Sequence, residues 1–132
     1  MKSIAYFFKT YYLTVIVAVA IVLLSVLKFD KVSASIHIAW ADKVVHFIMY
    51  FFLGTILFLE GSGYHKKQLS ILYLFWSGII LVLFGALMEF IQKFISYRSA
   101  SLYDIFANTG GILFAIVCFI FISTLIFNAK RK

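Results

Sequence analysis

Proline is absent from this 132-residue chain, cysteine occurs once, and charged side chains make up only 13% of it. Each shortage excludes something. Without proline there is no proline-rich stretch or linker to divide the chain, and no internal repeat stands in for one, so a single helical unit is expected over residues 1–132. The lone Cys118 excludes an intramolecular disulfide; inside an apolar run it reads as a small packing residue. Soluble domains carry about a quarter of their residues as charges. A chain at 13% charged and 64% hydrophobic belongs in a membrane.

Strict alternation of polar and apolar residues is also missing, and the chain is short for even the smallest eight-stranded barrel, which leaves helices as the spanning structure. A spanning helix needs about 20 mainly apolar residues. Four runs meet that requirement, at about 11–27, 40–59, 69–95 and 105–127, separated by the polar stretches "KFDKVSAS", "EGSGYHKK" and "SYRSAS". The expected fold is therefore all-α, a four-helix transmembrane bundle. A competing reading makes the first run a cleaved signal peptide ending near "SAS" at 33–35. Its 17 apolar residues exceed the roughly 7–15 of such a region, so it is read as a retained span.

The net charge of +7 does not mark a nucleic-acid binder, because its cations sit singly or in short clusters between apolar runs instead of forming one face. They act as orientation signals and as contacts to membrane lipids. Four spans put both termini on one side, together with Lys2, Lys9, Lys66, Lys67, Lys130, Arg131 and Lys132, while Lys28, Lys31, Lys43, Lys93 and Arg98 fall on the other. Seven cations against five place both termini in the cytoplasm. The expected location is the inner membrane, crossed several times. Among the acids, Asp30, Asp42, Glu89 and Asp104 lie outside and only Glu60 inside.

Alternating direction also gathers polar residues. The second span starts, the third ends and the fourth starts at the outer face, so Asp42, Lys43 and His46 meet Glu89, Gln92 and Lys93, the loop residue Arg98, and Ser101, Asp104 and Asn108 at similar depth. Asp42, His46 and Tyr50 recur every four residues on one stripe; Asp104, Asn108 and Gly111 make another. A charge at the bilayer centre costs about 2.5–3.5 kcal/mol on insertion scales, so Glu89 is expected to face protein or water. Simpler roles compete at each position. Glu89 and Lys93 have the spacing of a local ion pair. Ser101 and Asp104 have that of a capping box. Lys43 and Arg98 can snorkel to headgroups, and Gly111 with Ala115 can let helices approach closely. No single one of these accounts for polar residues on three different helix ends at one face, and a shared, outward-opening polar pocket is the expectation.

"DKVVH" opening the second span, "EFIQ" near the end of the third and "RSASLYDIFANTGG" entering the fourth together resemble the VanZ-like family of small bacterial membrane proteins over about residues 40–115. The resemblance implies that Asp42, Lys43, His46, Glu89, Gln92, Arg98, Asp104 and Asn108 are the characteristic polar positions, with Gly111 a packing glycine. "ISYR" stands where the family has a proline before the arginine. The family name comes from low-level resistance to the glycopeptide teicoplanin, which implies an envelope role.

The function expected is binding or modification of a cell-wall precursor, a lipid-linked component or a glycopeptide-related ligand. Lys43, Gln92, Arg98, Asp104 and Asn108 would bind; Glu89 would serve as general base, with Asp42 and His46 as orienting pair. Binding is preferred to catalysis, since neither G-x-S-x-G nor H-E-x-x-H occurs. Asp42, His46, Glu89 and Asp104 could suit zinc or manganese. Lys43 and Arg98 compete for those carboxylates, so no metal ligand and no cofactor is assigned. The alternative is a scaffold whose polar residues hold the helices together.

Overall fold

A computed structural model describes residues 7–26, 40–65, 69–95 and 101–129, and among these residues there is no strand. Four helices account for nearly all of them: α1 (Tyr12–Val26), α2 (Ala41–His65), α3 (Ile71–Gln92) and α4 (Leu102–Ala129). Three are long and apolar enough to cross a membrane, with spans at Ala41–Gly63, Ile71–Gln92 and Leu102–Ile126. At about 1.5 Å per residue these exceed the roughly 30 Å of a hydrocarbon core. The chain is a helical membrane protein. In α4 only 17% of the most apolar 18-residue stretch is buried against protein, less than in α2 or α3.

The first apolar run differs from expectation. Its helix is 15 residues, about 22 Å of rise, preceded by a helical turn at 7–10 and a bend at Tyr11. Leu27, expected to close this run, lies outside the described residues, as do "KFDKVSAS" and most of "SYRSAS".

The other boundaries shift for local reasons. α2 runs six residues beyond Leu59, through "EGSGYH". Those residues serve the helix end: Ser62 Oγ donates to Leu59 O at 3.0 Å, and Gly61 lies under the Tyr73 ring, where a Cβ would stand 2.7 Å from Tyr73 Oη. α3 starts at Ile71 because Ser70 caps it, its Oγ accepting from Tyr73 N at 3.2 Å. Beyond Gln92 the backbone tightens, with Phe94 N donating to Ile91 O and Ile95 N to Gln92 O, so the helix stops short of Ile95. α4 begins at Leu102, three residues before the expected 105, because Ser101 Oγ accepts from Tyr103 N at 3.2 Å.

Contacts near the helix ends fix the directions. Glu60, late in α2, binds the start of α1, taking Leu13 N at 2.9 Å, Thr14 N at 3.0 Å and Thr14 Oγ1 at 2.6 Å. Tyr11 Oη lies 3.2 Å from Tyr73 Oη, and Gln92 Nε2 donates to Ser25 O at 3.4 Å. α1 is thus parallel to α3 and antiparallel to α2, while Lys43 beside Asp104 pairs the starts of α2 and α4.

α2 and α4 make the most extensive helix pair. Small residues permit it. A Cβ on Gly111 would meet Phe51 N at 2.9 Å and Phe47 C at 3.1 Å, and one on Gly54 would meet Ala115 Cβ at 3.1 Å. Phe47 and Phe51 both lie against Phe114. Two apolar layers follow, Ile21, Tyr50, Leu53, Leu81 and Ile112 in one and Phe58, Leu69, Leu74 and Ala115 in the other.

Candidate functional site

The polar site lies where α2 and α4 begin and α3 ends, and helical spacing sorts it into two layers. Asp42, Lys43 and Asp104 belong to first turns; His46 and Asn108 follow one turn deeper, with Glu89 one turn before the end of α3. The outer layer touches solvent or headgroups, since the Asp42 side chain is 53% exposed and that of Lys43 24%. Asp104 is buried despite its first-turn position, as are His46, Glu89, Gln92 and Asn108 below it.

His46 is the centre of the inner layer. Its Nδ1 lies 3.0 Å from Asn108 Oδ1 and 3.5 Å from Glu89 Oε1, and its Nε2 lies 3.9 Å from Asp42 Oδ1. An imidazole thus separates an exposed carboxylate from a buried one. Lys43 Nζ lies 3.3 Å from Asp104 Oδ1, an ion-pair contact without the alignment of a hydrogen bond. Asp104 does sit in the first turn of α4, as a helix-dipole acid would, and its amide donates to Ser101 O at 3.0 Å; its carboxylate, 1% exposed, is turned to Lys43.

Glu89 contradicts the local ion-pair reading. Among the described residues Lys93 is exposed and makes no ion pair with it; the carboxylate faces His46 instead. At 3% exposure neither Glu89 oxygen accepts a well-aligned hydrogen bond from a described residue, although the backbone N–H of Ser101 is turned toward the carboxylate. Asn108 Nδ2 and Tyr50 Oη share that state, buried beside each other where Gly85 makes room: a Cβ there would meet Asn108 Nδ2 and Tyr50 Cε1, each at 3.2 Å.

The structure therefore brings together Asp42, Lys43, His46, Glu89, Asp104 and Asn108. Gln92 is adjacent, but its amide is bound to the backbone of α1 at Ser25. Arg98 lies outside the described residues. Sequence reasoning placed Tyr50 on the stripe of His46 through their four-residue spacing but missed Gly85, which makes room for the Tyr50 ring.

Neither known protein families nor solved structures match this chain. It is similar to Uncharacterized protein C11E3.10 of Schizosaccharomyces pombe, at 31% identity over 105 residues, which is 77% of this chain and 60% of that protein. The match thus spans less than two thirds of that relative.

Proposed function

We propose that this chain is a multi-pass protein of the bacterial inner membrane whose outward-facing polar site binds the anionic headgroup of a lipid-linked or carboxylated envelope component. In this reading α1 completes a four-helix transmembrane bundle with both termini in the cytoplasm. Its contacts with α3 near both ends, at Tyr11–Tyr73 and Ser25–Gln92, support that placement. The VanZ-like motifs extend the proposal to glycopeptide susceptibility.

One observation carries the reading: Glu89 is buried against His46, with no well-aligned hydrogen bond from a described residue and the Ser101 backbone N–H as the other donor turned toward it. A buried carboxylate left short of donors costs stability, by about 1–3 kcal/mol or more. Polar residues kept only to hold helices together would be better satisfied, so the site is read as built for a ligand. Lys43, partly exposed above it, supplies a positive charge for an anion to meet. Asp42, at 3.9 Å from Nε2, is outside hydrogen-bond range, which favours binding over general-base catalysis through a His46–Asp42 pair.

The test uses a bacterial host expressing the chain and the purified protein in detergent. A polyprenyl phosphate is expected to raise the thermal midpoint, and expression to change teicoplanin susceptibility. Glu89→Gln and Lys43→Ala should weaken both effects while leaving the protein level and ligand-free melt near the parent. If neither effect occurs in the parent chain, the proposal fails. If both variants disappear from the membrane, the polar residues are scaffold.

A further inference from the structure

Within the site itself, carboxylates outnumber the cations among the described residues. Among the described residues, Asp42, Glu89 and Asp104 face Lys43 alone, with His46 between them. One donor atom each of Asp42, His46 and Asp104 lies within 4.8 Å of the others.

The tautomer of His46 decides what can stand among these atoms. Both neighbours of Nδ1, Asn108 Oδ1 and Glu89 Oε1, are acceptors, so Nδ1 carries the hydrogen. In the neutral ring, Nε2 then presents its lone pair toward Asp42 Oδ1, 3.9 Å away. Two electron-rich atoms so placed repel unless a proton or a metal cation lies between them. Zinc binds nitrogen and oxygen at about 2.0–2.2 Å in tetrahedral geometry, so two ligands of one ion stand roughly 3.3–3.6 Å apart. The Nε2–Oδ1 separation of 3.9 Å is a few tenths of an ångström wider, and a pair at the 4.8 Å limit would close by about 1.2–1.5 Å on binding.

A metal-bound imidazole ordinarily gives its other N–H to a carboxylate or carbonyl oxygen, which fixes its orientation. Asn108 and Glu89 hold that position, Glu89 as a buried group with the Ser101 backbone N–H as its other approaching donor among the described residues. We propose that Nε2 of His46 and the carboxylates of Asp42 and Asp104 bind one divalent transition-metal ion of the zinc or manganese class. Lys43 stands in for the ion when the site is metal-free, neutralising Asp104 at 3.3 Å. Its partly exposed side chain can swing to the headgroups as the ion arrives. Three protein ligands leave coordination positions for water or for an anionic group. The site stands independently of which envelope molecule the protein binds.

Tag-free full-length protein in detergent, stripped with chelator, is titrated with Zn²⁺ and separately with Mn²⁺ by calorimetry, and bound metal is counted by mass spectrometry. One ion per chain is expected for at least one of the two, with a thermal midpoint that rises on loading. Asp42→Asn, at an exposed position the fold does not need, should weaken binding at least about tenfold, and Glu89→Gln by about 10–100-fold with one-ion stoichiometry retained. Lys43→Met should tighten it by removing the competing cation. Absence of stoichiometric binding of either ion overturns the proposal, as does an affinity unchanged in Asp42→Asn.

Discussion

Glu60 shows what one residue can do at a distance. Its carboxylate accepts two backbone N–H groups and a hydroxyl at the start of α1, where a helix leaves donors unpaired and carries partial positive charge. Glu60→Ala is expected to cost about 1–2 kcal/mol, the range of a lost N-cap, seen as a lower thermal midpoint of the purified protein. Glu60→Gln keeps an acceptor and should lose less. An unchanged melt in Glu60→Ala would mean that α1 is held by its apolar face alone. The sequence marked Glu60 only as the isolated acid on the inner side, because Thr14 lies 46 positions away and on another helix. Asp42 and His46 were legible as a pair through their spacing of four; Asn108, 62 positions from His46, became its partner only in three dimensions.

At the scale of elements, two glycines in helices separate packing from propensity. Gly111→Ala places a methyl against the backbone of α2 at Phe47 and Phe51, which cannot yield as a side chain could. A loss of about 1–3 kcal/mol is expected. Gly63 lies near the end of α2 with nothing within 4 Å of a Cβ, so Gly63→Ala should be neutral or gain up to about 1 kcal/mol. Melts of the two variants should move in opposite directions or one not at all; equal destabilisation would show that α2 and α4 are not in backbone contact. The pair Gly111 and Ala115 was legible as a small-residue stripe, while the partner surface, Phe47 and Gly54, was not. Helix ends shifted because caps override hydropathy: Ser70 and Ser101 set starts that the apolar runs alone misplace.

For the whole molecule, the shared direction of α2 and α4, antiparallel to α3, places the end of α2 with the end of α4, and the start of α4 at the other face. In a Cys118→Ser background, single cysteines at Gly63 and Ala129 should label with a membrane-impermeant maleimide from one side, and a cysteine at Leu102 from the other. Labelling of all three from a single side would remove the spans. Trp40 and Tyr103, both exposed, belong to the face that carries the polar site, as interfacial aromatic residues do.

The sequence by itself determined the solvent and the class of fold. Long apolar runs in a chain with few charges must be helical, since lipid offers no partner for an open backbone, and the order of the runs already sends Asp42, Glu89 and Asp104 to one end. Tertiary structure alone decided the rest. Whether Glu89 turns to Lys93 or to His46, and whether Asp104 serves its own helix or Lys43, depends on how each helix is rotated about its axis. That rotation is set by side chains packing across α2, α3 and α4, and no periodicity within a single helix encodes it.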